Sequence, residues 1–261
     1  MLEIVRPNIQ TPPANDGVRS IAAARARQRL EEQIAKGAAA VEETLDKIER
    51  LVPTDYLIPS NVVRIQAAPN GVAATWPQAN QPLEIHRHAL GQLAERAAVP
   101  TKYVDTLMQE DAELLAHNLT RRYAGQEPKK YLARVVQGGL RGWLSASYRR
   151  LDAAPIIQAF FGQCHQFGAV PVDGVVTDTK VNVKTLLPKV FEPVHDEVLA
   201  LGASLRTSDF GDGALSIQTF IVRLVCLNGM LADELLRRVH LGSRLDDLTW
   251  SRQTYSADHA E

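Results

Sequence analysis

The residues best suited to binding chemistry are concentrated between Arg121 and Leu151. This stretch has one acid, Glu127, and a local charge of about +7, whereas the chain of 261 residues has a formal net charge of −1. Its eight cations are Arg121, Arg122, Lys129, Lys130, Arg134, Arg141, Arg149 and Arg150. Four aromatic residues lie among them, namely Tyr123, Tyr131, Trp143 and Tyr148. Cations interleaved with π-faces suit a polyanion with stackable bases, so the stretch predicts a surface for nucleic acid, single strands in particular.

A predicted hairpin would bring the strongest of these groups together. Residues two apart on a strand share one face of a sheet, so we expect Arg141 and Trp143 to point the same way, with Arg134 on the paired strand. That face would offer a stacking ring flanked by guanidiniums, and base–aromatic stacking contributes about 1–3 kcal/mol per base. In the alternative interpretation, Trp143 belongs to the core and the arginines form a solvated face.

The segment from Tyr148 to Asp152 joins this hairpin to a predicted helix. The free backbone N–H groups at a helix start accept phosphate well, and two arginines stand beside them. Alternatively, Asp152 caps the helix and pairs with Arg149 or Arg150. The predicted nucleic-acid-binding residues are Lys129, Lys130, Arg134, Arg141, Trp143, Tyr148, Arg149 and Arg150.

Other chemistries find weaker support in the sequence. Cysteines and histidines lack the C-x-x-C and H-x-x-x-H spacings of zinc sites, so no metal and no cofactor is predicted. Asp173, Asp178 and Lys180 follow the carboxylate-then-lysine order of some metal-dependent nucleases, but turns favour Asp for local reasons. The glycine-rich segment 208–213 is better explained as a tight hairpin turn than as a phosphate loop. We therefore expect that the protein is not an enzyme, and nuclease activity is the least favoured alternative.

Composition limits the class of protein. Hydrophobic residues make up 45% and charged residues 23% of the chain, as in ordinary globular proteins. No apolar run approaches the ~20 residues that cross a bilayer, and the first residues do not resemble a secretory signal. Two cysteines, Cys164 and Cys226, fit a reducing compartment. The sequence thus predicts a cytoplasmic protein without a membrane partner.

Four ranges follow from the patterning. Residues 1–17, rich in proline, are predicted to be a flexible arm, and residues 18–52 a long helix. Along that helix an apolar seam with alternating spacings of four and three comprises Ile34, Ala38, Val41, Leu45, Ile48 and Val52. The seam fits a helix that lies on its own domain or one that self-associates, and Gly37 costs about 1 kcal/mol against Ala. Residues 53–241 are predicted to be an α+β core domain and residues 242–261 a polar tail.

Within 53–241 the predicted elements are antiparallel β-hairpins packed with helices. A helical block covers about 88–123, and a hairpin turns at Gly138-Gly139, since both glycines accept positive φ. The other predicted strands are 61–68, 83–86, 131–136, 140–145, 170–176, 181–187, 203–207 and 214–226. The other predicted helices are 152–167, a segment after Pro193 and residues 230–239. Helices first and hairpins later indicate an α+β fold rather than alternating βαβ units.

Two motifs resemble a known family. Residues 142–152 (GWLSASYRRLD) and 223–230 (RLVCLNGM), followed by His240, resemble the signature segments of a phage- and plasmid-borne family catalogued as a domain of unknown function (family 932). The resemblance covers about residues 55–245 and also includes residues 89–100 and the turn at 208–213. It implies a mobile-element context and no established chemistry. Phages and plasmids often carry single-strand annealing proteins, which are α+β, oligomeric and metal-independent.

Together these features predict a protein that binds single-stranded DNA or RNA without base specificity. Strand annealing or protection by a homo-oligomer on a phage or plasmid is the expected activity. The alternative is a protein-interaction module, such as an anti-defence factor or a subunit of a phage complex, whose basic hairpin would face an acidic host or phage protein.

Overall fold

One long helix and two large β-sheets dominate a computed structural model that describes residues 21–194, 197–224, 231–240 and 243–244. Helix α1 (Ile21–Arg50) comes first and strands follow it, which confirms the predicted α+β class. Contacts divide the described residues into two units. Unit 1 is drawn from 1–50, 151–208 and 213–241, and unit 2 from 51–150, 209–212 and 242–261. The range 53–241, predicted as one core domain, thus contributes to both units. The predicted arm 1–17 lies outside the described residues, as does the tail apart from 243–244.

Unit 2 contains a six-stranded sheet in the order β1-β5-β6-β4-β3-β2, in which only β4 and β6 run parallel. Its elements are β1 (Thr54–Pro59), a 3₁₀ turn (Ser60–Val62), β2 (Arg64–Ala68), β3 (Gly71–Thr75), β4 (Leu83–Ile85), α2 (Arg87–Arg96), α3 (Thr101–Glu110), α4 (Ala112–Ala124), β5 (Lys130–Val136), β6 (Gly139–Ser145) and β7 (Arg149–Arg150). The helices bury their apolar faces against one side of the sheet in a single core, which includes Leu93, Leu119 and Leu140.

A side chain of α4 forms hydrogen bonds with the free edge of strand β2 at one residue, Ile65. The backbone N–H of Ile65 donates to the Thr120 hydroxyl at 2.9 Å, and that hydroxyl donates to the Ile65 carbonyl at 3.1 Å. One side chain therefore satisfies both backbone groups that Ile65 would otherwise offer to another strand.

The predicted β5–β6 hairpin is present, but its turn lies one residue earlier than expected. Gln137 (φ 49°) and Gly138 (φ 78°) are the two turn residues, and Gly139 is already the first residue of β6. Positive φ at both positions gives the turn a backbone twist that matches the twist of the two flanking strands, as in other two-residue hairpins. Gln137 adopts it without the freedom of glycine.

Unit 1 contains the antiparallel sheet β13-β12-β11-β9-β8, with β10 paired to β11. Its elements after α1 are α5 (Ala153–Gln166), β8 (Val170–Val176), β9 (Val181–Leu186), β10 (Phe191–Val194), β11 (Glu197–Thr207), β12 (Leu215–Arg223) and β13 (Leu231–His240). Helix α1 packs against the edge strand β8 and contacts α5. The short strand β14 (Ser243–Arg244) pairs with β7 in unit 2.

The apolar seam of α1 is buried within unit 1. Ile34, Val41, Leu45 and Ile48 are all at most 4% exposed, whereas Val52 is 58% exposed. This is the packing expected of a helix that lies on its own domain. Gly37 makes it possible, because a Cβ atom there would lie 1.9 Å from the Val172 carbonyl oxygen.

Two predicted helices are wrong. The segment after Pro193 forms parts of β10 and β11, and residues 231–240 form β13. Strand β11 pairs with both β9 and β12, and β12 pairs with β13 along its length. Local preferences for helix or strand span only ~1 kcal/mol per residue. The hydrogen bonds and side-chain contacts of a fully paired strand outweigh them, so both segments form strands.

Candidate nucleic-acid interface

The predicted binding residues are carried by β5, β6, β7 and the segments that flank them. Arg134 pairs with Gly142, but Val135 pairs with Leu140, so Arg141 is the extra residue of a β-bulge. The bulge interrupts the alternation of β6, and Leu140 and Trp143, three residues apart, both enter the unit 2 core. The spacing of two between Arg141 and Trp143 therefore does not fix a shared face, as the sequence suggested.

Trp143 is a core residue, and the prediction of a stacking platform at this position is wrong. Its side chain is 0% exposed. The indole stacks on Tyr131 with ring centroids 5.2 Å apart, and it meets Tyr123 edge-on at 5.9 Å. The Tyr123 hydroxyl donates to the Leu93 carbonyl at 2.8 Å, and burial raises the pKa of this phenol. The three rings stabilise the hairpin against α2 and α4 and offer no face to a base.

Arg134 and Arg150 are also buried, at 1% and 3% exposure, and both bind the carboxylate of Asp55. Arg134 Nε donates to Asp55 Oδ1 at 2.8 Å, and Arg150 Nη1 donates to Asp55 Oδ2. The expectation that they reach phosphates is wrong for this arrangement, because a buried cation is retained only where an anion compensates it. Sequence reasoning missed Asp55, although the β-rich run Asp55–Ile58 was a signal for a strand.

The turn at Asp209–Asp212 completes the surroundings of Arg134. Arg134 Nη1 donates to the Asp209 carbonyl at 2.6 Å, and Gln92 Nε2 donates to the Phe210 carbonyl at 2.8 Å. Gln92 Oε1 in turn accepts the Trp143 backbone N–H at 2.7 Å. The predicted hairpin connection is present between β11 and β12, but it is a seven-residue loop (208–214) rather than a tight turn, with positive φ at Gly211 and Gly213. The carbonyl oxygens of this turn therefore accept hydrogen bonds from Arg134 and Gln92, and such oxygens have no proton to donate to a phosphate.

The other predicted residues keep more contact with solvent. Lys129, Lys130 and Arg149 are exposed, while Arg141 and Tyr148 are half-buried. In the two-residue strand β7, successive side chains point to opposite sides, so Arg149 faces outward and Arg150 faces Asp55.

A second group of cations surrounds the 3₁₀ turn of unit 2. The Lys129 N–H donates to the Ser60 hydroxyl at 3.1 Å, and Arg64 Nη1 donates to the Asn61 carbonyl at 2.9 Å. Helix α4 packs on the same turn, and Arg121 and Arg122 lie exposed in its last helical turn. We call these five exposed residues the basic patch: Arg64, Arg121, Arg122, Lys129 and Lys130. Sequence reasoning missed Arg64, because nothing in the linear charge pattern connects it to residues 121–130.

The arrangement of the patch concentrates positive charge. Four of its five cations lie between Arg121 and Lys130, a range that contains one exposed acid, Glu127, so these residues together with Arg64 have a formal net charge of +4. In the part of the chain that the structure describes, Arg121, Arg122 and Lys129 form no ion pair. Cations at the C-terminal end of a helix also interact favourably with its dipole, which gives Arg121 and Arg122 a structural role as well.

The residues considered for a nuclease do not converge. Asp173 forms an ion pair with Lys184 at 2.8 Å on neighbouring strands. Asp178 lies in the β8–β9 turn, where the Thr177 hydroxyl accepts the Lys180 backbone N–H at 3.0 Å. Three residues of strand, about 10 Å, separate Asp173 from the start of that turn, which is too far for two carboxylates to share one metal.

Among the described histidine and cysteine residues, His86 has a structural role. His86 Nδ1 accepts the His88 N–H at 3.2 Å and so caps α2. Cys164 is a free thiol whose pKa is raised by burial. Among the described residues no group of three His, Cys, Asp or Glu side chains could hold a metal ion, and none of the described helices has the length and apolar character to cross a bilayer.

Comparison with known proteins adds no relative: no protein-family model, no curated protein and no solved structure matches this chain. The resemblance to the phage- and plasmid-borne family stays a prediction.

Proposed function

We propose that this protein binds nucleic acid without sequence specificity by contacting the phosphate backbone with the basic patch. The observation that carries the proposal is the grouping of five exposed cations around one 3₁₀ turn in a chain whose net charge is −1. A protein whose net charge is slightly negative binds a polyanion only through a segregated basic face.

The chemistry of the patch suits backbones rather than bases. Lysine and arginine side chains at a helix end and a strand start reach phosphates, and phosphate contacts carry no sequence information. Each phosphate neutralised on a single strand releases condensed counterions and contributes about −0.7 to the slope of log K against log salt. Five cations therefore set a limit of about −3.5 for that slope.

Single strands are the preferred substrate class in this proposal, and annealing or protection is the preferred activity. We further infer a homo-oligomer that works in the cytoplasm on a phage or plasmid element. Support comes from the sequence resemblance and from the unpaired thiol of Cys164, which fits a reducing compartment. A protein-interaction module remains the second candidate, with an acidic host or phage protein in place of the strand.

The test is a fluorescence titration with a single-stranded oligonucleotide at several salt concentrations. Arg121→Glu combined with Arg122→Glu should weaken binding at least about tenfold at low salt and reduce the salt slope by about 1.4. Lys36→Glu combined with Arg50→Glu is the matched control, since both are exposed cations of α1 in unit 1 and their reversal lowers the net charge by the same amount.

Unchanged affinity of the folded Arg121 and Arg122 variant, or an equal loss in the Lys36 and Arg50 control, would contradict the assignment of the patch. Failure of the wild-type protein to bind at low salt would reject nucleic acid as the substrate. Salt-insensitive capture of a host protein would then support the interaction module.

A further inference from the structure

We propose that Tyr103 provides the stacking surface for a nucleic-acid base, an inference that rests on the proposed nucleic-acid binding. Tyr103 lies in the first turn of α3 and is 40% exposed. Its hydroxyl accepts a hydrogen bond from Asn118 Nδ2 at 2.8 Å, so the phenol is anchored at its tip. An aromatic ring that is held in place but accessible to solvent loses little conformational entropy when a base stacks on it.

Asn118 connects the ring to the basic patch. Arg121 and Arg122 follow it by three and four residues on α4, which places them about one helical turn of ~5.4 Å further along. Lys102, the neighbour of Tyr103 in sequence, is exposed as well. A base stacked on Tyr103 would therefore have cations beside it that reach its flanking phosphates.

Other aromatic residues of unit 2 are less suitable. Trp76, Tyr123, Tyr131, Trp143 and Phe210 are buried, and Tyr56 and Tyr148 are only partly exposed. Among the described aromatic residues of this unit, Tyr103 is the most exposed. Leu107, one helical turn further along α3, is only 8% exposed.

The consequence for substrate class is direct. Bases in a duplex are already stacked on one another, whereas those of a single strand expose their faces to a ring. Backbone contacts from the basic patch would hold either form, and Tyr103 would add affinity only for the single strand. The predicted preference for single strands is thus assigned to Tyr103 on α3 instead of Trp143 on β6.

The experiment compares Tyr103→Ala and Tyr103→Phe on three fluorescent probes of equal length: oligo-dT, an abasic strand with the same phosphates, and a duplex. Tyr103→Ala should weaken oligo-dT binding by about tenfold and leave the abasic strand, the duplex and the salt slope unchanged. Tyr103→Phe keeps the ring and should bind oligo-dT within about threefold of wild type. Phe167→Ala, which removes a ring 76% exposed in unit 1, is the matched control and should have no effect.

Wild-type affinity of folded Tyr103→Ala for oligo-dT would overturn the inference, while salt-dependent binding of all three probes would leave the proposed function standing. An equal loss on all three probes would also overturn it, since stacking cannot act on an abasic strand. If the wild-type protein binds none of the probes, both the proposed function and the role of Tyr103 are rejected.

Discussion

Arg134 and Asp55 lie opposite each other on neighbouring antiparallel strands, and the Nε atom of Arg134 donates to Oδ1 of Asp55 at 2.8 Å. The other oxygen of that carboxylate accepts a hydrogen bond from Arg150. Asp55 thus compensates the charge of two guanidiniums that are buried in unit 2. In the sequence, Arg134 and Arg150 look like part of a polyanion-binding cluster. In the structure, both form ion pairs with Asp55, which is far from them in the chain.

Replacement of Asp55 by Asn should destabilise unit 2 by about 3–5 kcal/mol, because two buried cations would lose the carboxylate charge that they share. Urea denaturation followed by tryptophan fluorescence measures the loss. Asp105→Asn is the control, since Asp105 pairs with Arg87 at a largely exposed site, and it should cost less than about 1 kcal/mol. Equal losses in the two variants would contradict the structural role of Asp55.

Replacement of Trp143 by Ala should lower the free energy of unfolding by about 3–5 kcal/mol, because it empties the site between Tyr123 and Tyr131. Trp143→Phe keeps an apolar ring there and should cost less. Below the unfolding transition, both variants should bind oligonucleotide as the wild type does. Lost binding with unchanged thermal stability would restore Trp143 as a stacking platform.

Replacement of Gly37 by Ala should destabilise unit 1 by at least about 1–3 kcal/mol, despite the better helix propensity of alanine, since the new Cβ would meet the Val172 carbonyl. Gly91 in α2 is the matched control, because a Cβ there has no atom within 4 Å. Gly91→Ala should stabilise by about 0.5–1 kcal/mol. Chemical denaturation of both variants would reveal the opposite signs, and a stabilising effect at Gly37 would disprove the close packing of α1 on β8.

Replacement of Gln137 by Gly should stabilise the β5–β6 hairpin by about 0.5–1 kcal/mol. Gln137 adopts φ 49°, which costs a residue with a Cβ about 1 kcal/mol and costs glycine nothing, although glycine gains entropy in the unfolded chain. Asparagine tolerates this conformation too and should give a smaller gain. A lower melting temperature in both variants would show that the Gln137 side chain stabilises the turn in another way.

Local patterning predicted the elements that are decided locally. Helix α5 after Asp152 and the strands β8 and β9 are where the sequence indicated. Residues 230–239 are predicted as a helix because their composition favours one, but in the structure residues 231–240 form β13 and pair along their length with the preceding strand β12. Prediction from sequence therefore succeeds up to the point where tertiary pairing decides.

The candidate site shows the same limit more sharply. The cationic stretch can be recognised from the sequence. Whether each of its cations is buried or exposed, however, depends on contacts with residues far away in the chain. Arg134 and Arg150 are separated from Asp55 by 79 and 95 residues. Arg64 joins the patch only because Lys129 bonds to the 3₁₀ turn next to it. Charge density alone does not distinguish a buried guanidinium from an exposed one.

The Thr120 hydroxyl at the edge of β2 also affects how the protein behaves in concentrated solution. An unprotected strand edge presents alternating donors and acceptors to any passing chain, and intermolecular sheets grow from such edges. At Ile65 one oxygen atom of the same molecule occupies both positions. Exchange of the Thr120 hydroxyl for the methyl group of valine would keep the side-chain shape and remove the partner of both Ile65 backbone groups, so we expect the solubility limit to depend on that single atom.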